Sequence, residues 1–151
     1  MGVIKGDRSV EIEGPIERCY EIAADVENST EWQGSLRDVE VLERDGEKRP
    51  ALVETESDAK VKNVKAVLRF SYDPPTGITW VQEKGDTKAL HGSWAFEDLG
   101  GGRTRATYAL EIGLSRKLSL IVKAVKGPME ARVRSLLTER PVQGLKEQAE
   151  R

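Results

Sequence analysis

The sequence predicts an α+β fold: one antiparallel sheet of about seven strands, covered on one face by a long C-terminal helix, with two short helices after the first strand. Three observations predict it. Between Leu36 and Ile112, apolar and polar residues alternate over several runs separated by turn residues, the period of strands with one buried face. From Leu118 onward, apolar residues recur at helical spacing, which supplies the cover such a face requires. Near the start, the period changes from two to helical at Gly14-Pro15.

In Arg8–Gly14, Val10 and Ile12 alternate with Ser9, Glu11 and Glu13 and predict the first strand. Pro15 suits a first helical position, where its missing N–H costs nothing. Ile16, Cys19, Tyr20, Ala23 and Val26 follow at helical spacing, with Glu17 in the first turn, where the helix dipole favours an anion. Asn28 and Glu31 resemble a capping box and predict a second short helix from Asn28, ending at Trp32.

Val39, Val41 and Glu43 then alternate with Glu40 and Leu42, before a turn at Asp45-Gly46. Ala51–Ser57 is the next run. Val64, Ala66, Leu68, Phe70 and Tyr72 share one face of a long strand that ends at Pro74-Pro75-Thr76-Gly77. Ile78 and Trp80 open another, turned by Lys84-Gly85-Asp86. Leu90, Gly92, Trp94 and Phe96 share a face, opposite His91, Ser93, Ala95 and Glu97. Gly100-Gly101-Gly102 forms a hairpin loop, and Ala106, Tyr108, Leu110 and Ile112 form the inner face of the last strand. The tail stripe runs Leu118, Ile121, Val122, Val125, Met129, Val133, Leu136, Leu137 and Leu145. Gly127-Pro128 and then Pro141 are expected to break or kink it. No repeat or linker divides the 151 residues, so a single domain over 1–151 is expected.

Composition excludes several functions. The 24 basic and 26 acidic residues nearly cancel, which removes a bulk basic nucleic-acid binder. One cysteine, Cys19, excludes an internal disulfide and a cysteine metal cluster; one histidine, His91, excludes a two-histidine metal motif. No metal and no cofactor are expected. No run of about 18 apolar residues exists to span a membrane. Met1-Gly2-Val3-Ile4-Lys5-Gly6 lacks both a signal-peptide core and the Ser/Thr of a myristoylation signal, so a reducing, cytoplasmic setting is expected.

Taken together, Glu13-Gly-Pro-Ile-Glu-Arg-Cys-Tyr20, Asp25-Val-Glu-Asn-Ser-Thr-Glu-Trp32, Ile78-Thr-Trp80, and Gly92-Ser-Trp94-Ala-Phe96 with the glycine hairpin and Tyr108 form an ordered set. From about Val10 to Glu150 the chain resembles the START-like, or SRPBCC, superfamily of helix-grip (Bet v 1-like) folds, and in particular its bacterial polyketide cyclase/dehydrase and lipid transport branch. The resemblance implies a curved sheet wrapped around the long helix, with an apolar cavity between them.

The register then names the cavity's expected walls. Ala66, Leu68, Phe70 and Tyr72 come from one strand, Trp80 and Trp94 from the next two, and Tyr108 and Leu110 from the last. Val125, Met129 and Val133 are expected to close it from the tail, and Trp32 to cap its end. Ala106 is also inward and small, so Phe at Ala66 or Ala106 is expected to fill the space. Tyr and Trp offer a polar tip while the ring buries a ligand.

Residues that attract catalytic readings have plainer ones. His91 falls on the outer face, with no orienting carboxylate at a telling spacing. Cys19 is a buried thiol on an apolar helix face. Glu54 and Glu56, Arg69 and Arg105 read as a solvated sheet face, and the basic tail residues are interrupted by Glu130 and Glu139. Gly100–Gly102 joins two strands and is not a phosphate loop.

Three functions compete: a carrier of an apolar small molecule, a cyclase/aromatase acting on a polyketide-like substrate by shape, and a protein-interaction module. The alternation leaves no exposed apolar strip for the third. The first is expected, with no catalytic residue, as a monomer or weak homodimer.

Overall fold

The computed structural model describes residues 3–33, 36–58, 63–114, 116, 120 and 128–151, with side chains of 128–134 and 136 outside that description. The sheet has seven strands: β1 Val3–Ile12, β2 Leu36–Arg44, β3 Pro50–Asp58, β4 Asn63–Asp73, β5 Gly77–Gly85, β6 Ala89–Gly100 and β7 Arg103–Gly113. All pairings are antiparallel, in the order β1-β7-β6-β5-β4-β3-β2. From β2 to β7 the chain meanders. The first strand leaves that path and pairs beside the last, from Val3 opposite Gly113 to Ile12 opposite Thr104.

That pairing explains why β1 is longer than its alternation. The sequence predicts a start at Arg8, yet the strand begins at Val3, because the edge of β7 offers hydrogen-bond partners along its whole length. The other registers follow the pattern. Gly92, Trp94 and Phe96 are buried and His91 and Ala95 exposed; Ala106, Tyr108, Leu110 and Ile112 are buried on β7. At the β6–β7 hairpin, Gly100, Gly101 and Gly102 all have positive φ, a region open to glycine at little cost.

Helix α1 spans Ile16–Ala24 and buries Ile16, Cys19, Tyr20 and Ala23. The second short element differs from expectation. It is a 3-10 helix at Val26–Glu31, beginning two residues before Asn28, and it has no side-chain cap bond. The Asn28 amide donates to Asp25 Oδ2 at 2.8 Å, and the Ser29 hydroxyl donates to the Val26 carbonyl. Local turn chemistry thus competes with the capping box.

The C-terminal helix, α2, spans Pro128–Ala149. Gly127, the first expected breaking point, lies outside the described residues. The second proline does not break the helix as one of the two expected outcomes had it: α2 runs through Pro141. Pro141 lacks one backbone donor, but its ring is fully buried, and the core around Val142 and Leu145 holds the helix on both sides of it. The far end of α2 is anchored to the β1–α1 junction. Arg18 Nε donates to the Ala149 carbonyl at 2.9 Å and its Nη2 to that of Gln148 at 3.1 Å. A cation here satisfies orphaned carbonyls at the negative end of the helix. Lys146 Nζ donates to the Glu11 carbonyl, and the Glu13 N–H donates to Glu150 Oε2, which holds that carboxyl below its ordinary range.

Two small residues let the helix sit this close. A Cβ on Gly144 would overlap the Trp32 carbonyl oxygen, and one on Gly14 would lie 3.3 Å from the Ala149 oxygen. Ile12, Cys19, Ala106, Val142 and Leu145 are all 0% exposed in this closed region.

Candidate ligand cavity

Away from that junction, the described side chains do not fill the space between sheet and helix. A cavity of about 160 Å³ remains among the inward side chains. Its aromatic wall follows from register. Phe70 pairs with Trp80, Trp80 with Gly92, and Gly92 with Leu110, so one row crosses four strands. Gly92 is the necessary gap in that row: a Cβ there would meet the Trp80 indole at 2.5 Å. The indole lies over Gly92 and comes within 5.6 Å of both the Phe70 and Tyr108 rings, centroid to centroid. In the adjacent row Trp94 pairs with Tyr108, their centroids 4.9 Å apart at an edge-on 62°. These contacts hold the rings in fixed relative orientations.

The structure brings together seven of the sequence-predicted wall residues. Ala66, Leu68, Phe70, Trp80, Trp94, Tyr108 and Leu110 all line the cavity. Trp32 and Tyr72 do not. Trp32 packs its ring against Trp94 and its backbone against α2 at Gly144, so it ties the 3-10 helix between sheet and helix instead of capping the void. Tyr72 is drawn aside by its hydroxyl, which donates to the Pro50 carbonyl at 2.6 Å, and by the Arg49 guanidinium 4.8 Å over its ring. Val125 lies outside the described residues, and so do the side chains of Met129 and Val133; Leu137 is the α2 residue described at the wall. Ala106 is inward but does not line the cavity; it sits in the closed core opposite Phe96.

Sequence reasoning missed the polar part of the lining: Ser29, Gln33, Thr55, Ser57 and Thr87. Thr55 was findable, because it shares a strand face with Val53. Thr87 and Gln33 come from loops, where no period assigns a face. Thr87 is held by Gln82: its hydroxyl donates to Gln82 Oε1 at 2.9 Å, and Gln82 Nε2 donates back to the Thr87 carbonyl at 2.8 Å.

Tyr108 is 7% exposed, and burial pushes its phenol well above the ordinary value. Its hydroxyl has no hydrogen-bond partner among the described residues. Cys19 is likewise pushed up by burial, and lies in the closed core. His91 stands on the outer face, 3.5 Å from Glu111, among exposed pairs such as Arg105 with Glu97 and Arg69 with Glu83. Among the described residues, no group of three or more His, Cys, Asp or Glu side chains is placed to hold a metal ion, and no helix is long and apolar enough to cross a membrane.

The lineage is decided by residues 12–138, which match the family described as polyketide cyclase / dehydrase and lipid transport. The chain belongs to that family. Solved structures agree in fold. A START superfamily protein from Mycobacterium smegmatis superposes with a TM-score of 0.82 at 18% identity, over 99% of this chain and 98% of that one. A Streptomyces aromatase/cyclase, Zhui, gives 0.75 at 18% identity, over 99% and 95%. A Thermus thermophilus protein gives 0.72 at 25% identity, over 98% and 97%. No curated protein matches the sequence. The fold is therefore the helix-grip fold of START-like proteins, a curved seven-stranded antiparallel sheet around a C-terminal helix.

Proposed function

We propose that the protein binds an apolar small molecule, lipid-like or polyketide-like, in the cavity between the sheet and α2. The observation that carries this reading is the void itself. Packed interiors leave few spaces larger than a water. Here about 160 Å³ stays open between aromatic and aliphatic walls with a few hydroxyl and amide groups, the lining that small-molecule sites use. Burying one Leu-sized group contributes roughly 1.5–3 kcal/mol, so a few such contacts support an affinity of about micromolar after ordering costs. Ala66, Leu68, Phe70, Trp80, Trp94, Tyr108 and Leu110 are the ligand-binding residues of this proposal. Val125, Met129 and Val133 are its candidates from the tail. The protein is taken to act in the cytoplasm, without nucleic acid, as a single domain and as a monomer or weak homodimer.

A second reading is supported by the family description and by the resemblance to the Zhui aromatase/cyclase fold. In it the cavity folds a reactive chain into near-attack geometry, and shape is the main contribution to rate. The described walls contribute phenol, indole, hydroxyl and amide groups to such a site.

The test is to fill the void. Ala66→Phe is expected to abolish uptake of a fluorescent polyaromatic probe while the thermal midpoint stays within a few degrees. Undiminished uptake by the folded variant would remove the proposal.

A further inference from the structure

Tyr108 sits where β7 passes from closed core to open cavity. On the same face, Ala106 before it is fully buried opposite Phe96, and Leu110 after it lines the void. The phenol ring is held by Trp80 and Trp94, at 5.6 and 4.9 Å between centroids. Neither neighbour can accept its proton, because an indole N–H only donates. The hydroxyl makes no hydrogen bond to the described residues, and it is not sealed in: the side-chain oxygen enclosed without a partner among them is that of Tyr20, whereas Tyr108 lines the cavity. A hydroxyl at an apolar cavity has to find its partner there. A ligand that brings an acceptor oxygen supplies one, and one that brings only hydrocarbon does not.

We propose that Tyr108 is the specificity-determining residue of the cavity, donating its hydroxyl proton to a carbonyl-type oxygen on a compact, neutral ring ligand. This rests on the binding reading above and narrows it to a class. The volume sets the size: a cavity of about 150 Å³ lined by apolar side chains holds a benzene-sized ring, and the space here is of that order. The wall sets the shape, since Phe70, Trp80 and Trp94 line it with aromatic rings, which suit a flat partner. Charge is set by the same chemistry. A carboxylate buried against a phenol and indoles gains hydrogen bonds but no cation from these neighbours, and its desolvation is costly. Because burial keeps the phenol protonated, the donor is present throughout the neutral range, and ketone binding is expected to be flat between about pH 5 and 9.

The experiment uses a matched pair of single-ring probes, ethylbenzene and acetophenone, in which a methylene of one is a ketone carbonyl in the other. Binding to the whole protein and to Tyr108→Phe is measured by calorimetry, and the acetophenone carbonyl stretch by infrared difference spectroscopy. The expected result is about tenfold weaker acetophenone binding in the variant, the size of one buried hydrogen bond, with ethylbenzene affinity unchanged. The carbonyl band is expected to shift to lower wavenumber on binding to the parent and not to the variant. If acetophenone and ethylbenzene weaken together, the hydroxyl acts only through packing and the assignment is overturned. If acetophenone binding is undiminished in the variant, or if the band does not shift, it is overturned as well. If neither probe binds the parent protein, the binding reading falls together with this assignment.

Discussion

Two halves of the space between sheet and helix share strands β1, β6 and β7 and end differently. Around Ile12, Phe96, Ala106, Val142 and Leu145 the layers close completely. Around Ala66, Leu68, Trp80 and Tyr108 they leave a void. Both halves have the same alternation, and both contain a small inward alanine. What separates them is the partner on the far side. In the closed half, Gly14 and Gly144 bring α2 against the backbone, and Arg18, Lys146 and Glu150 fasten its last turn to the β1–α1 junction. In the open half, wide rings pack against one another, tilted or edge-on, along the sheet. Strand period states which face is covered; the small residues and anchors on the cover decide how near it comes.

The largest expected effect tests the two alanines against each other. Ala106→Phe is expected to cost at least about 3 kcal/mol by urea denaturation, since a ring must enter a filled core. Ala66→Phe, beside the void, is expected to cost less than about 1 kcal/mol. Equal costs would mean the two halves are equally packed. Next comes Gly144→Ala. Helix propensity alone favours the change by up to about 1 kcal/mol, yet the new Cβ meets the Trp32 carbonyl. A net loss of about 2 kcal/mol is expected; a stabilised variant would show that α2 does not rest on Trp32.

A smaller effect is alkaline. Burial raises the phenols of Tyr108, Tyr72 and Tyr20 above the ordinary 10.0. The folded state therefore keeps protons that the unfolded chain releases, so stability is fully present below about pH 10 and falls as pH rises further. Denaturation between pH 9 and about 11.5 is expected to show that slope, and Tyr108→Phe to reduce it, with the remainder owed to Tyr72 and Tyr20. Smallest is His91→Ala. On the exposed outer face it is expected to change stability by less than about 0.5 kcal/mol and to leave probe binding unchanged. A large loss of binding would move the ligand to the other face of the sheet.

Much of the cavity is legible in the sequence because strand faces are local. Two-residue periodicity on β4 through β7 is enough to place seven wall residues. The failures also have local causes. Tyr72 has the right face, but a hydrogen bond to Pro50, distant in sequence, turns its tip away. Trp32 has no period at all, and its place depends on a glycine in another element. Thr87 and Gln33 reach the cavity from loops, whose direction no repeat encodes.

The α+β class, the strand registers, the outer position of His91 and the family are all written in spacing or in ordered residues along the chain, and the sequence suffices for them. Contacts between distant elements settle the rest: that β1 pairs beside β7, that α2 continues through Pro141, that Ala106 is closed in while Ala66 borders a void, and that the Tyr108 hydroxyl stands without a partner among the described residues. The reason is physical: a face is set by the angle between neighbouring residues, but the width of a gap is set by the sum of side chains brought together from opposite layers.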